Sequence, residues 1–426
     1  MISSFKKRLY FVVAAYFGFW ARIVLWRWKP RVVVVTGSSG KTTTLHLIEA
    51  QLGDQATYSH HANSAIGLPF FILGMPPNVE RRSQWLLTFV IAPFKIFRRL
   101  PQQKLFIAEA DTDRPHEGAF LSTLLKPEVT LWVSVYNTHA LNFDYLAGTS
   151  QFPKVIDAIA YEFGHFLAQT RKMALINGDQ EKLVAQSGRA IFKPEIKKIS
   201  KTSLTNFKIE KGLTIYRFGK LQMTLRGLNP RELGTAILMV RALTEYLGVH
   251  FDPNFLKFNQ PPGRSSVFEG VKSTTIIDST YNTGTEAMTA MLALFAEHTA
   301  KNKWAVVGDI LEQGKLEAAQ HRALAHAIAT SKPRRVILLG PRTKKDTLPE
   351  LKKILPKTII VSFESPKEVL DYLLAELKGG ETLFFKGGRF LEGVIEQLLR
   401  NPEDAQHLVR RDPVWTARRQ KWGLPH

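Results

Sequence analysis

The feature that most constrains this fold is a glycine-rich segment that joins an apolar run to a helical stretch. Arg31–Thr36 reads RVVVVT, a continuous β-branched run typical of a strand buried on both faces of a parallel sheet. It is followed by the letters GSSGKTTT and then by a helix predicted over Leu45–Leu52. Glycine lets the backbone turn tightly, so successive N–H groups can point at phosphate oxygens, and a helix N-terminus adds partial positive charge. The sequence therefore predicts an α/β fold with a nucleotide-binding loop.

The side chains of this loop have separate predicted roles. The residues expected to hold the phosphates are Gly37, Ser38, Ser39, Gly40, Lys41, Thr42 and Thr43. The Lys41 ammonium would neutralise the β- and γ-phosphates of ATP, and the Thr42 hydroxyl would ligate Mg²⁺. The general phosphate-loop spacing places its first glycine at the position of Val35, whereas the first glycine here is Gly37. The loop is therefore a variant of that pattern.

Length and composition limit the class of protein. The 426 residues exceed what one hydrophobic core usually organises, so two or three domains are expected. The absence of cysteine excludes disulfides, thiolate metal sites and cysteine nucleophiles. A formal net charge of +21 favours anionic partners such as nucleotides, phosphorylated substrates or lipid headgroups. Because lysine and arginine are spread along the chain, no nucleic acid partner is expected.

An apolar, aromatic-rich segment occupies the N-terminus. Tyr10–Trp26 contains Arg22 as its only charged residue, basic residues flank it on both sides, and no acidic residue precedes Glu49. The run is slightly short for a spanning helix, which needs about 20 residues, and it lacks the cleavage site of a signal peptide. Two interpretations remain open: a helix lying on the inner face of the cell membrane, or a helix packed on the protein's own body. The protein is expected to be cytoplasmic in either case.

Strand-like runs alternate with helical stretches along the rest of the chain, as in parallel α/β sheets. In the first half, the further candidates are strands at Leu105–Ala108, Val129–Val135 and Lys172–Ile176, a β-rich region at about 196–225, and a helix over Arg231–Leu247. After a linker at 260–263, the candidates are strands at Thr274–Asp278, Trp304–Val307, Arg335–Leu339, Thr358–Val361 and Thr382–Phe385, with helices such as Thr285–Glu297 and Leu316–Ala329. We predict three parts: an apolar helix over 1–30, a central ATP-binding domain over 31–259, and a C-terminal Rossmann-like domain over 260–426.

Segments along the chain resemble the Mur ligase family, and most closely its D-alanyl-D-alanine-adding branch, MurF. The loop TGSSGKTTT is similar to that family's TGxxGKTTT. The other similar segments are Asn63–Pro69, Glu109–Glu117, Asn137–His139, Asn177–Asp179, Pro262–Arg264, Asp278–Asn282 with Met288, Gly308–Gly314 with His321, and Lys386–Arg389. They follow the family's order and cover most of the chain from Val32 onward.

The resemblance implies an ATP-dependent carbon–nitrogen ligase that works through an acyl phosphate, with ATP and Mg²⁺ as cofactors. It implies that Glu109 and His139 ligate Mg²⁺ together with Thr42. Alternatively, Glu109 could be an exposed acid at a strand end, and a lone His139 could be structural. Arg264 would contact the ATP phosphates when the domains close. Lys386 would help to bind growing negative charge, unless it is a surface lysine.

Further residues of the C-terminal segments carry open interpretations. Asp278, Tyr281 and Asn282 follow a strand and could line the nucleotide or the incoming amine, while Asn282 could instead cap the next helix. Asp309 and Glu312 could be turn and capping residues.

Three departures separate this chain from the family pattern. The family's own N-terminal domain, which holds the UDP end of the substrate, is replaced by a short apolar segment, which would allow a lipid-linked or otherwise different substrate. The position of the family's carbamylated lysine holds Ala160, and Lys154 is more than one helical turn away. The family's HNxxN segment reads LNPRE at Leu228–Glu232, so the adenine contacts are expected to differ.

The favoured prediction is a ligase that adds D-alanyl-D-alanine to a peptidoglycan-precursor peptide, with nucleotide and peptide-type cell-wall precursors as partners. One alternative is a Mur-like ligase with another substrate, of the folylpolyglutamate or cyanophycin type. A second is a membrane-associated nucleotide-binding scaffold with weakened catalysis, which the alanine at position 160 and the missing first domain motivate. The sequence does not predict the oligomeric state.

Overall fold

The computed structural model describes residues 2–76, 82–281 and 284–424, and the chain divides into two compact units. The first unit comprises Met1–Tyr136, Asn142–Ser203 and Thr235–Asp252. The second comprises Asn137–Leu141, Leu204–Gly234 and Pro253–His426. The predicted domain limits at residues 31 and 260 remain predictions, since the chain enters and leaves each compact unit more than once.

The first unit is built on a six-stranded parallel sheet. Its elements are α1 (Ile2–Trp28), β1 (Arg31–Thr36), α2 (Lys41–Leu52), β2 (Thr57–Tyr58), α3 (Gly67–Leu73), α4 (Arg82–Ile91), β3 (Leu105–Ala110), α5 (Glu117–Leu125), β4 (Val129–Trp132), α6 (Val155–Gln169), β5 (Met173–Asn177), α7 (Glu181–Val184) and β6 (Glu195–Ile199). The strand order is β2-β3-β1-β4-β5-β6. The central strands are apolar on both faces because helices cover both sides of a parallel sheet, and β1 is buried at every residue after Arg31.

The register of this sheet places the predicted site at one edge. Val35 of β1 is paired with Glu109 of β3, and Thr36 with Ala110. The loop after β1 and the acidic segment after β3 therefore leave the sheet side by side. Ligands of open α/β sheets bind at this carboxyl edge of the strands.

The second unit contains two sheets. Its elements are β7 (Asn206–Glu210), β8 (Leu213–Phe218), β9 (Leu221–Arg226), the start of α8 (Leu233–Leu247), β10 (Ser266–Gly270), β11 (Thr274–Ser279), α9 (Thr285–Glu297), β12 (Lys303–Gly308), α10 (Glu317–Thr330), β13 (Arg335–Leu339), α11 (Leu348–Ile354), β14 (Ile359–Phe363), α12 (Pro366–Glu376), β15 (Thr382–Lys386), α13 (Leu391–Leu398) and α14 (Pro413–Gln420). One sheet has the order β10-β11-β15-β12-β13-β14, parallel except for the antiparallel pair β10–β11. The other is the antiparallel meander β7-β8-β9.

The predicted α/β fold and the predicted strands are confirmed, although several elements differ from their predicted bounds by a few residues. α2 begins at Lys41 rather than Leu45, because the lysine-threonine run already forms its first turn, in which the Thr44 amide bonds Gly40 O at 2.9 Å. β4 ends at Trp132 rather than Val135, since the chain turns there to support the glycine loop. α1 has 27 residues and extends beyond the apolar run Tyr10–Trp26, which agrees with the helix predicted over 1–30.

Candidate functional site

The glycine loop adopts a conformation that only glycine tolerates at two positions. Gly37 has φ 135°, and a Cβ there would lie 2.7 Å from the carbonyl oxygen of Ser134. Gly40, which precedes α2, has φ 85°. The loop is braced against the segment after β4, because the Ser38 amide donates to Ser134 O at 3.0 Å and the Ser39 amide to Ser134 Oγ at 2.8 Å. The start of α2, where backbone amides lack intrahelical partners, follows directly.

Lys41 is buried, with 7% of its surface exposed, and its ammonium is held by two oxygens. Its Nζ donates to Gly37 O at 2.7 Å and lies 2.6 Å from Asp111 Oδ2. Burial by itself would lower the pKa of Lys41, but the Asp111 and Glu109 carboxylates outweigh burial and raise it. The lysine is therefore a fixed positive charge at the phosphate-binding loop.

Glu109 lies at the end of β3 and reaches the first turn of α2. The Thr42 hydroxyl donates to Glu109 Oε1 at 3.1 Å, and Asn63 Nδ2 donates to the same oxygen at 3.3 Å. The Glu109 backbone amide donates to Ser59 Oγ at 2.8 Å, which fixes the strand end. Glu109 is 7% exposed, so the interpretation of an exposed strand-end acid is wrong.

The oxygen atoms around Glu109 match the preference of a magnesium ion. The hydroxyl of Thr42 and the carboxylate of Glu109 are adjacent, and oxygens of Asp111 and Asp113 lie within 4.8 Å of each other. Hard oxygen donors, mostly carboxylates, are the ligands that Mg²⁺ takes in proteins. The metal-binding prediction for Thr42 and Glu109 thus fits the donor set.

Sequence reasoning did not single out Asp111 within the acidic segment. The Asp111 carboxylate forms an ion pair with Lys41 and helps to raise the pKa of that lysine, which keeps it positively charged. The available signal was the alternation Glu109-x-Asp111-x-Asp113 directly after a buried strand, which concentrates carboxylates at the carboxyl edge of the sheet.

His139 belongs to the second unit, whereas Glu109 belongs to the first. Its Nδ1 lies 2.5 Å from Glu312 Oε2, and the Leu141 amide donates to Glu312 O at 3.2 Å. Glu312 therefore contacts the 137–141 segment. It is more than the turn or capping residue that the sequence suggested, because it joins this segment to its own loop. The prediction that His139 ligates Mg²⁺ stays a prediction.

The position of the family's modified lysine holds no ligand atom. Ala160 lies on α6 and is 1% exposed. The nearby Glu162 is also buried, and its carboxylate accepts from the amides of His116 at 2.9 Å and Gly118 at 3.3 Å. Glu162 therefore caps the start of α5, and Lys154 lies at the other end of α6, preceding its first turn.

In the second unit, buried charges gather at the carboxyl ends of β11 and β15. Ser279 is paired with Lys386 across these strands, next to Asp278. Lys386 is 2% exposed and Asp278 is 0% exposed, so the interpretation of Lys386 as a surface lysine is wrong. Asp278 Oδ1 accepts from the Thr280 amide at 2.9 Å and its hydroxyl at 2.7 Å.

The electrostatics of this cluster are set by burial and by two arginines. Burial, with the charges of Arg264 and Arg410, lowers the pKa of Lys386 to about 7, against the attraction of Asp278. Burial also raises the pKa of Asp278 to about 6, against hydrogen bonds from Thr280. Both groups thus change charge near neutral pH, which is common where side chains contact a charged ligand.

Arg264 and Arg410 are positioned by the loop after β11. The Arg264 guanidinium lies over the Tyr281 ring, 3.9 Å from its centroid. Arg410 donates to Tyr281 O at 3.2 Å and to Glu392 Oε2 at 3.2 Å. Arg410 was missed because nothing in the sequence around it indicates a site. Asn282 lies outside the described residues.

Other residues of the matching segments have structural roles. Asp309 is fully buried and accepts from the Thr343 amide at 2.9 Å, with Arg389 Nε at 3.1 Å. His321 accepts from the Ile310 amide at 3.2 Å through Nε2, and its Nδ1 contacts Glu317 O, so the ring fixes the loop after β12.

The segment expected to contact adenine is also built into the fold. Asn229 is 1% exposed, and its side chain donates to Arg226 O at 3.0 Å. Its backbone amide donates to Thr214 Oγ1 at 3.0 Å. These bonds hold the chain after β9, which explains an asparagine at this position without any ligand.

Comparisons with known proteins match both halves of the chain. A family model of the Mur ligase middle domain matches residues 35–226, and one described as Mur ligase, glutamate ligase domain matches residues 263–389. The UDP-N-acetylmuramoyl-tripeptide–D-alanyl-D-alanine ligase of Buchnera aphidicola is 22% identical over 87% of this chain and 75% of its own. The enzyme of that name from Bacillus subtilis is 23% identical over 90% and 79%.

Solved structures share the fold. The MurF ligase from Thermotoga maritima, solved in complex with ADP, has a TM-score of 0.72 and 22% identity, over 92% of this chain and 84% of its own. A MurF structure from Acinetobacter baumannii has a TM-score of 0.71 and 16% identity, over 90% and 80%. A Mycobacterium tuberculosis folylpolyglutamate synthase is less similar, with a TM-score of 0.54 and 12% identity, over 87% and 92%.

Proposed function

Because this chain belongs to the Mur ligase family, we propose that it is an ATP-dependent ligase that joins the carboxylate of a peptide to an amine. The observation that carries the proposal is the arrangement at the head of α2. There the loop lysine is held charged by Asp111, and Thr42 is hydrogen-bonded to Glu109. In such an arrangement the ammonium can bind the phosphates of a nucleotide, and the carboxylate and the hydroxyl can ligate its metal ion.

The proposed reaction has two steps, phosphoryl transfer and then amide formation. An oxygen of the substrate carboxylate forms a bond to the γ-phosphorus of ATP, the bond from that phosphorus to the β–γ bridging oxygen breaks, and ADP leaves. The amine nitrogen then attacks the carbonyl carbon of the acyl phosphate. The bond from that carbon to the phosphate oxygen breaks, inorganic phosphate leaves, and the nitrogen loses a proton to solvent.

Most of the protein's contribution is positioning and charge neutralisation. We propose that the Lys41 ammonium and the first amides of α2 bind the phosphates, with Gly37 and Gly40 giving the loop its shape. Mg²⁺, when bound, neutralises phosphate charge, and the side chains that would hold it are those of Thr42 and Glu109, with His139 as a further proposed ligand.

The cluster in the second unit supplies positive charge of its own. We propose that Arg264, Lys386 and Arg410 bind an anionic part of the substrates or of the acyl phosphate. This is supported by the burial of Lys386 together with the repulsion of Arg264 and Arg410, which lower its pKa. An anion bound there would raise that pKa towards its ordinary value.

The substrates proposed are D-alanyl-D-alanine as the amine and a peptidoglycan-precursor peptide as the acid. The names of the relatives support them, since the proteins from Buchnera aphidicola and Bacillus subtilis are called tripeptide–D-alanyl-D-alanine ligases. A cytoplasmic location fits ATP as the phosphoryl donor. Two alternatives from the sequence are a ligase for a different acid and amine, and a nucleotide-binding scaffold, which the alanine at position 160 in place of the family's modified lysine motivates.

A screen that follows ADP release and product mass tests the proposal. The purified chain is mixed with ATP, Mg²⁺ and a UDP-linked or lipid-linked precursor tripeptide, with D-alanyl-D-alanine or, as matched controls, L-glutamate and single D-alanine. We expect ADP release only with both peptide and D-alanyl-D-alanine, and a product heavier by that dipeptide less one water. Release with glutamate instead would show a different ligase. No release with any pair, despite ATP binding, would support the scaffold.

A further inference from the structure

The two faces of α1 differ in what they contact. One stripe at helical spacing is packed on the first unit, and its members are Ala14, Phe17, Ala21, Val24 and Trp28, each no more than 2% exposed. The Phe17 ring lies 4.7 Å from that of Phe70, and Trp28 Nε1 donates to Gln103 O at 2.7 Å. The helix is therefore docked along most of its length, which confirms the interpretation of a helix packed on the protein's own body.

The opposite stripe of α1 is apolar as well, although it faces outward. At the same spacing the exposed residues are Val12, Ala15, Phe19, Arg22 and Trp26. Val12 is 65%, Phe19 55% and Trp26 73% exposed. A surface helix normally presents polar residues on the side away from the core, so this stripe requires an explanation.

A second element carries the same kind of face. α4 continues into a 3₁₀ turn over Ala92–Phe97. Its exposed apolar residues, each between 57% and 76% exposed, are Leu86, Leu87, Val90, Phe94 and Phe97. Apart from the adjacent pair Leu86 and Leu87, they recur every three or four residues, the spacing of one side of a helical element.

The two elements adjoin. The Tyr16 hydroxyl donates to Phe89 O at 2.6 Å, and the Phe17 and Phe89 rings are 4.9 Å apart. Further along, the Arg27 guanidinium donates to Ile96 O. Monomeric soluble proteins rarely expose so many neighbouring large apolar side chains, and patches of this kind mark interaction sites. We call the outward residues of α1 and of 84–97 the apolar face.

Basic residues flank in the sequence the two segments that form the apolar face. Lys6, Lys7 and Arg8 precede the apolar run of α1, Arg27 and Lys29 follow it, and Lys95, Arg98 and Arg99 lie in or directly after 84–97. Neither the 48 residues before Glu49 nor the stretch 81–104 contains an acidic residue. Apolar side chains bordered by cations are what an anionic lipid surface binds, with acyl chains taking the former and phosphates the latter.

We propose that the apolar face attaches this protein in-plane to a bilayer that contains anionic phospholipid. Leu9–Trp28 is long and apolar enough to span a membrane by length and composition, but a spanning α1 would have to leave the stripe that packs it on the first unit. The Tyr10 hydroxyl bond to Glu117 at 2.9 Å and the Lys104 ammonium bond to Trp28 O at 2.9 Å would also break.

A second copy of the chain is a poorer occupant of the face than a lipid surface. Two such faces in contact would bring together basic residues of the same sign, without an acidic residue in 1–48 or 81–104 to offset them. The inference does not depend on the proposed reaction, because no residue of the glycine loop or of the β3 end takes part in it.

Vesicle co-sedimentation of the full chain tests the proposal, with phosphatidylcholine vesicles compared with vesicles containing about one third phosphatidylglycerol. We expect binding to the anionic vesicles that weakens with added salt. The double variant Phe94→Ser/Phe97→Ser should bind the anionic vesicles at least about tenfold less tightly. The reason is that each phenylalanine that enters the bilayer gains a large free energy of transfer from water. The matched control is Ile359→Ser/Leu374→Ser, two exposed apolar residues of the second unit, which should bind as the wild type does.

The competing occupants give distinct results. Equal binding by the two double variants would overturn the proposal, as would equal, salt-independent binding to both vesicles. Light scattering that shows a dimer without lipid, dissociated by Phe94→Ser/Phe97→Ser, would assign the face to a second copy. Retention in membranes after alkaline carbonate extraction would show a spanning α1 and overturn in-plane attachment. Unchanged melting temperatures would show that all variants fold.

Discussion

Two lysines at the ends of two sheets invite comparison, because they occupy similar places and have opposite electrostatics. Lys41 follows β1 by way of the glycine loop, and Lys386 ends β15. Both are nearly buried, at 7% and 2% exposure. The pKa of Lys41 is raised, whereas that of Lys386 is lowered to about 7.

Burial disfavours the charged form of both lysines, so their neighbours must account for the difference. Lys41 has a carboxylate at 2.6 Å and a second one close by. Lys386 has two arginines nearby and one buried aspartate whose own pKa is raised to about 6. The first site combines a charged lysine, which suits phosphate, with carboxylates, which suit a metal cation. The second site is short of negative charge and suits an anion. The sign of the neighbours, rather than depth, decides what a buried lysine can do.

The largest expected effect comes from removing the charge at the first site. Lys41→Met should lower substrate-dependent ADP release by about 10³-fold, because a preorganised charge on the transferring phosphate is lost. Lys367→Met, an exposed lysine paired with Asp371, is the control and should change nothing. Activity within tenfold of the wild type would mean that Lys41 does not bind the transferring phosphate.

A smaller loss is expected at the carboxylate beside it. Glu109→Gln keeps the size and the hydrogen bond from Thr42 but removes the charge, and should reduce kcat by about 10²-fold while raising the Mg²⁺ concentration needed for half-maximal rate. A magnesium titration of the rate measures both. A loss of rate with an unchanged magnesium requirement would remove Glu109 from the metal site and leave it a structural role.

At the second site we expect a pH-dependent effect of about tenfold. The protonated fraction of Lys386 falls as pH rises through about 7, so KM for the anionic substrate should rise between pH 6 and 8 in the wild type. Lys386→Met should have a KM about tenfold higher at pH 6 and nearly flat with pH, while Lys386→Arg should be flat and low. A slope that persists in Lys386→Met would assign the pH dependence to another group.

The last prediction concerns stability rather than catalytic rate. The pKa of Asp278 is raised from 3.8 to about 6 on folding, so its contribution to stability is fully present below pH 3.8 and lost as pH rises through 6. Asp278→Asn cannot ionise, and its free energy of unfolding relative to the wild type should improve by on the order of 2 kcal/mol between pH 4 and 6.5. Urea unfolding at the two pH values measures this. A constant difference would show that Asp278 does not titrate in that range.

The sequence alone was sufficient wherever a local pattern has one structural outcome. A β-branched run followed by GSSGKT predicts a buried strand, a tight turn and a helix start, and Gly37 and Gly40 do take backbone angles that other residues avoid. Apolar runs of this kind also predicted β11, β12, β13 and β15. Glu109 was predicted at a strand end because it directly follows another such run.

The sequence could not show the partners that distant parts of the chain provide. Arg410 reaches Tyr281 from 129 positions away, and nothing near it in the sequence marks it. The resemblance included His321 without giving it a role, and the structure shows that its ring hydrogen bonds fix a loop. Asp309, offered as a turn residue, is a buried link between chain segments.

What the sequence determined by itself is the order of strands and helices and the chemistry of the glycine loop, since backbone preferences and apolar periodicity act over a few residues. Only the tertiary structure determined the charge states of the two lysines. It also determined which stripe of α1 packs on the first unit and which is exposed. Both depend on which side chains are brought within a few ångströms of each other, and Coulomb interactions and burial respond to that distance rather than to separation along the chain.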